Sequence, residues 1–196
     1  MMQRQRGFTM IELLIAVVIV AIVLTIAVPS FNQFILRQRL KSINAELITD
    51  LQLARSEAVS RGTIGRVVFD SNSTLTCYSI FALKPGAAAV RCDCKQGAGA
   101  ACDPTSAIEI RTVQVPRALG VTLVTSADAS ADQAAIGFDP VNGGLVTIPT
   151  DTSSGQSQPF QIDTELDDSH LLRTLLNPAG RPQVCSLGDS YGPPAC

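Results

Sequence analysis

From Leu13 to Leu36 the chain carries no charged residue. A helix crosses a bilayer with about 20 apolar residues, so this run is long enough to span one. It is opened by a carboxylate: Glu12 stands near the front of "RGFTMIELLIAVVIVAIVLTIAVPSF". A carboxylate at membrane depth costs about 2.5–3.5 kcal/mol on insertion scales, so Glu12 reads as a functional group. A cation would offset that cost, yet no Lys or Arg lies within a helical turn or two on the apolar side. A free amine made by cleavage between Gly7 and Phe8 would serve, on the same chain or on a neighbour packed alongside.

Arg4 and Arg6 precede the run and place the N-terminus in the cytoplasm. Arg37, Arg39 and Lys41 follow it and pull the other way. Two simpler readings are a cleavable secretory signal, with Thr25 and Ala27 before the cut, and a plain signal anchor. The length of the run, Pro29 close behind that cut and Glu12 at the front argue against both.

Arg6-Gly7-Phe8-Thr9-Met10-Ile11-Glu12 resembles the class III signal of type IV pilins and pseudopilins. The resemblance implies that a prepilin peptidase cuts between Gly7 and Phe8 and N-methylates Phe8. It makes Glu12 the assembly glutamate, fifth in the mature chain, and Pro29 the helix-kinking proline. The implied partners are this peptidase, the inner membrane and other pilins, met through the N-terminal helix.

Leu36, Leu40, Ile43, Leu47, Leu51, Ala54 and Ala58 then recur at steps of three and four, one apolar stripe of an amphipathic helix. Arg37, Arg39, Lys41, Asp50, Arg55 and Arg61 fall largely on other faces, and Gly62 is a natural stop. One helix is predicted from about Phe8 to Arg61. Pro29, lacking an N–H, should bend or loosen it. "PSFNQFILRQRLKSINAELITDLQLARSEAVSRG" is similar to the FimT/GspH group of minor pseudopilins, most tellingly in "LARSEAVSRG". Taken alone, Arg55 and Glu57 read as a solvated helix face.

After Thr63 the signals become those of strands: "TIGRVVFD", "TLTCYSIFAL", "AIEIRTVQV", "GVTLVTS", "QPFQIDT", "HLLRTLLN" and "RPQVCSL". "AIGFDPVNGGLVTI" carries a hairpin signal at Asn142-Gly143. The stretch from Lys84 to Pro104, the Ser153–Gln156 stretch and the acidic stretch from Asp163 to Asp168 read as loops. Short strands after one long helix give an α+β domain with antiparallel sheets. The type IV pilin-like resemblance implies the same picture, a helix spine with a β-rich head. The chain divides into a leader (1–7), a transmembrane and assembly helix (8–36), its amphipathic continuation (37–62) and a periplasmic head (63–196).

All six cysteines, Cys77, Cys92, Cys94, Cys102, Cys185 and Cys196, follow the apolar run. An even number in an exported part points to disulfides. Cys185 with Cys196 is the favoured pair, and the Cys92–Cys102 region closes on itself and on Cys77. A zinc site from Cys92, Cys94 and Cys102 lacks both the usual spacing and a nearby histidine.

No enzyme is read from this sequence, and no cofactor or metal. Asp167, Asp168, Ser169 and His170 are neighbours, whereas a catalytic triad is assembled across a fold. Gly97-Ala98-Gly99 lacks the lysine of a phosphate loop. One further segment is "NPAGRPQVC". In the FimT branch a Gly-Arg-x-Arg motif is tied to DNA binding during natural transformation. Gly180 and Arg181 match it, and Gln183 stands where the second arginine would be. The surrounding tail is acidic, and the whole chain has a net charge of −2. Phosphate contacts need clustered positive charge. The expectation is a minor pilin or pseudopilin of a type IV pilus or type II secretion pseudopilus, with DNA capture through Gly180 and Arg181 as the alternative.

Overall fold

The structure is a computed structural model and describes residues 9–87, 91–125, 134–146, 160–167, 170–188 and 193–196; among these, the side chains of 26–30, 134, 167 and 188 are not described. Gly7, Phe8, the leader and the Ser153–Gln156 stretch lie outside the described residues. The chain forms two compact units, Met1–Gln38 and Arg39–Cys196.

Helix α1 runs from Met10 to Arg61 and crosses from one unit into the other. Thr9 caps its start. The Thr9 hydroxyl accepts from the Glu12 N–H at 3.3 Å, and the Glu12 carboxylate accepts from the Thr9 N–H at 3.3 Å. This is a reciprocal capping box, and it satisfies two donors that a helix start leaves orphaned. At the other end Gly62 has φ +63°. Its N–H donates to Val59 O, and the Thr63 N–H donates to Ala58 O. That Schellman pattern needs a left-handed residue, which glycine supplies at no steric cost.

In the second unit Leu40, Leu47, Leu51, Ala54 and Ala58 are buried, so the apolar stripe read at steps of three and four does face a core. Among the described residues it faces nine antiparallel strands: β1 (Gly65–Ser71), β2 (Leu75–Leu83), β3 (Ala107–Pro116), β4 (Thr122–Thr125), β5 (Ala134–Phe138), β6 (Leu145–Val146), β7 (Phe160–Asp167), β8 (His170–Leu176) and β9 (Pro182–Gly188). They form a five-stranded sheet, β3-β2-β1-β5-β6, and a four-stranded sheet, β4-β7-β8-β9. The main core joins the helix to both: Leu47, Leu51 and Ala54 meet Val67, Phe69 and Ile80 of the first sheet and Ile162 and Leu176 of the second. Period-2 alternation turns these strand residues to the helix and their neighbours to the opposite face, where Val68 and Phe81 are buried as well. The fold is a long helix packed on an antiparallel β head, an α+β arrangement.

Two expectations are corrected. The acidic stretch is not a surface loop as far as it is described. Strand β7 continues through it to Asp167. Asp163 is buried and held by both Arg173 nitrogens at 2.9 Å across to β8. A cross-strand arginine makes a buried carboxylate tolerable, and local sequence does not reveal that partner. Asp50, read as lying off the apolar stripe, is buried beside it, at 2% exposed. The Lys84–Pro104 segment, read as a loop, contributes Cys92 and Cys102 to a second cluster with Val68, Phe81 and Ala107.

Candidate functional site

The N-terminal segment is considered first. Met10, Ile11, Leu13, Leu14, Ile15, Val17, Val18, Ile19 and Val20 are each more than half exposed, so the apolar residues form an uncovered sleeve around this part of α1. Glu12 sits at its start with its carboxylate turned to Thr9. Exposed apolar surface of this extent marks an interaction or membrane site. Among the described residues no helix is long and apolar enough to cross a membrane; the bend expected at Pro29 falls among the side chains not described.

The Asn177–Arg181 turn connects β8 to β9. Gly180 has φ +71°, and a Cβ there would collide with the Gly143 carbonyl and press on the Phe138 ring. The turn is stacked on the β5–β6 hairpin: the Leu145 N–H donates to Pro178 O at 2.9 Å. Arg55 reaches the same hairpin, donating to Gly143 O at 2.9 Å and Asn142 O at 3.4 Å. Gly180 is therefore demanded by packing. Arg181 is exposed beside it and anchored through its backbone, its N–H donating to Asn177 Oδ1 at 3.0 Å. Of the solvated face read for Arg55 and Glu57, Arg55 departs and ties α1 to the hairpin, while Glu57 pairs with Arg61 at 2.6 Å on the exposed helix surface.

A polar cluster that sequence reasoning missed ties the helix to the five-stranded sheet. The Tyr78 hydroxyl and Arg111 Nε converge on Asp50 Oδ2, at 2.7 and 2.8 Å, and Arg111 also pairs with Glu46 at 2.6 Å. Burial pushes the Asp50 carboxyl above its ordinary range, against the opposing pull of the Tyr78 hydroxyl and the Arg111 charge. Burial, then the neighbouring Asp50 carboxylate, push the Tyr78 hydroxyl up as well, so it stays a donor. Buried Asn44 does the same work for the second sheet, donating to Thr164 and Thr174 at 3.1 and 2.9 Å. Nothing in the one-dimensional pattern pairs Asp50 with Tyr78, because the contact closes across 28 residues. The capping box, by contrast, was readable as Thr9-x-x-Glu12.

The disulfides are Cys77–Cys94, Cys92–Cys102 and Cys185–Cys196, which account for all six cysteines. Among the described residues no group of His, Cys, Asp and Glu is placed to hold a metal ion. His170 opens β8, opposite Asp167 and Gly188, and Arg173 is taken by Asp163.

A capped helix sheathed in exposed apolar residues, leading into a disulfide-bonded two-sheet head, defines a pilin-like protein. The prokaryotic N-terminal methylation motif matches residues 2–28. The type II transport protein GspH matches residues 45–180, more than half of the chain. The chain belongs to the GspH family and is a minor pseudopilin of the GspH/FimT type, a structural rather than catalytic class. No solved structure matches it.

Proposed function

We propose that this chain is a minor subunit of a type II secretion pseudopilus or a type IV pilus that supports filament assembly and protein secretion. The observation that carries this reading is the order of the two family matches, a methylation motif over residues 2–28 followed by a GspH head over 45–180. A prepilin peptidase cuts between Gly7 and Phe8 and methylates the new Phe8 amine. The uncharged run from Leu13 to Leu36 holds the precursor in the inner membrane, with the leader in the cytoplasm and the head in the periplasm. In the filament, Glu12 of one subunit pairs with the Phe8 amine of the next. A wrong axial position leaves that carboxylate in hydrocarbon without a partner, so the pair acts as a registration device. Three disulfides in the head suit an oxidising compartment.

The test is mass spectrometry of the mature protein. An N-terminus at Phe8 carrying one methyl group is expected, and a chain that still begins with residues 1–7 overturns the reading. The DNA-capture alternative rests on Arg181 alone, since Gly180 has a packing role and Arg173 is engaged by Asp163.

A further inference from the structure

A β-sheet edge carries a row of unpaired backbone N–H and C=O groups, and proteins usually shorten, cover or interrupt it. Among the described residues three of the four edges are shortened or bonded. Strand β6 has two described residues, Leu145 and Val146. Strand β4 has four, and its Leu123 N–H is taken by the Thr76 hydroxyl at 3.1 Å. Strand β9 is bridged by Ala195: the Ser186 N–H donates to Pro194 O at 2.9 Å, the Cys196 N–H returns to Ser186 O at 3.1 Å, and Cys185–Cys196 staples the tail in place.

Strand β3 is the exception, at ten residues. The Arg117 N–H donates to Thr74 O, which fixes the phase of the ladder between β2 and β3. Antiparallel alternation then turns Val113 and Val115 toward β2, and turns the N–H and C=O of Thr112 and Gln114 outward. The Asn72 N–H bond to Leu75 O, on the β1 side of β2, requires the same phase. Among the described residues nothing bonds these outward groups of Thr112 and Gln114. The usual interruptions are present only at the ends: the register shifts beside Ile110, and Pro116 closes the strand.

An open groove of about 640 Å³ runs along this edge, from Glu109 to Gln114, between Glu46 on the helix and Ala98–Gly99 on the disulfide-bonded segment. Ala98 and Gly99 are small enough to let a backbone approach. Their wall is held in place: Glu109 accepts from the Gly99 and Ala101 N–H groups at 2.8 and 3.2 Å, and Gln114 Nε2 donates to Cys94 O and Lys95 O at 2.9 and 3.0 Å. Such a preformed site avoids an ordering cost on binding. Its charge is acidic. Glu46 and Glu109 line it, and the one lining cation, Arg111, is already shared by Glu46 and Asp50.

We propose that the outer edge of β3 docks an extended segment of a partner protein bearing a basic side chain: the segment pairs with Thr112 and Gln114 through main-chain hydrogen bonds and sets its basic group against Glu46 and Glu109. Strand addition of this kind takes affinity from the backbone and specificity from flanking side chains. A second copy of this chain is a poor occupant, because two β3 edges would oppose acidic grooves.

The experiment uses the full chain in detergent micelles, with amide hydrogen exchange as the readout. The probes are the capped peptide Thr-Val-Lys-Val-Thr-Val-Lys, the same peptide with Glu for Lys, and the Lys peptide N-methylated at alternate amides. The Lys peptide should protect the Thr112 and Gln114 amides, binding about tenfold more tightly than the Glu peptide. The N-methylated peptide should not bind. Thr112→Val, which keeps the N–H, should bind as the unsubstituted chain does, and Thr112→Pro should not. The proposal is overturned if the Lys peptide gives no protection, if the Glu or N-methylated peptide binds equally, or if protection rises with protein concentration alone.

Discussion

The Tyr78 hydroxyl donates to Asp50 Oδ2 at 2.7 Å, and both residues are nearly inaccessible to water. This single bond ties α1 to β2 of the five-stranded sheet through a group that would otherwise be costly to bury. Tyr78→Phe removes the donor and leaves the carboxylate with Arg111 alone. A loss of about 1–3 kcal/mol is expected, measured by chemical denaturation followed by circular dichroism. A loss below about 0.5 kcal/mol would show that the bond contributes little.

Asp50 also predicts an unusual pH dependence. Burial raises its carboxyl above the ordinary 3.8, so between that value and the raised one the folded state binds more protons than the unfolded. Its contribution is complete below the unfolded value and is lost as pH rises through the folded one. This is opposite in sign to an ordinary paired carboxylate. Relative to Asp50→Asn, the unsubstituted chain should be most stable near pH 4 and lose ground toward neutrality. Melting temperatures of the two chains across that range provide the check; a gap that widens with pH contradicts the assignment.

Gly180→Ala should be poorly tolerated. The new methyl meets the Gly143 carbonyl, and φ of +71° disfavours any side chain. A cost of at least about 2 kcal/mol is expected. Arg181→Ala, at an exposed position, should cost less than about 0.5 kcal/mol. Comparing their unfolding midpoints separates the two residues of the turn; equal effects would refute the packing role given to Gly180.

Replacing Cys185 and Cys196 together by serine should cost roughly 2–4 kcal/mol. It should also speed hydrogen exchange at the Ser186 amide, whose acceptor is Pro194 O in the stapled tail. Unchanged exchange at Ser186 would mean that the tail holds its place without the bond.

Glu12 has two roles to separate. It caps α1 with Thr9, and we assign it the pairing with a neighbour's Phe8 amine. Glutamine serves a capping box as well as glutamate does, but carries no charge. Both Glu12→Gln and Glu12→Ala should insert in the membrane and fail to enter filaments. Recovery of Glu12→Gln in sheared filaments at the normal level would leave capping as the only function of the residue.

The helix was legible because its signals are local and repeated. Steps of three and four from Leu36 to Ala58 state both its type and its inward face, and Gly62 marks its end. The strands were legible from runs such as "AIEIRTVQV" between turn residues. What escaped were contacts that pair residues far apart. Asp50 with Tyr78, Asp163 with Arg173, and Arg55 with Gly143 each place a polar group where its own neighbours in sequence argue for solvent. The acidic stretch misled for that reason: its charges said loop, and an arginine ten residues on made a strand of it. The order of strands in the two sheets was equally out of reach, since it depends on which edges the helix stripe can cover at once.

The segment carrying Cys92, Cys94 and Cys102 is shaped by covalent bonds and by hydrogen bonds from Glu109 and Gln114 on β3, with little apolar side chain of its own. Its exposed alanines, Ala98 and Ala100, can therefore vary in identity while the wall they build stays put. A protein with such a segment can alter what its head recognises without renegotiating how the head folds. In the same way, a laboratory library confined to the exposed Ala98 and Ala100 should change partner preference while leaving the melting temperature almost untouched.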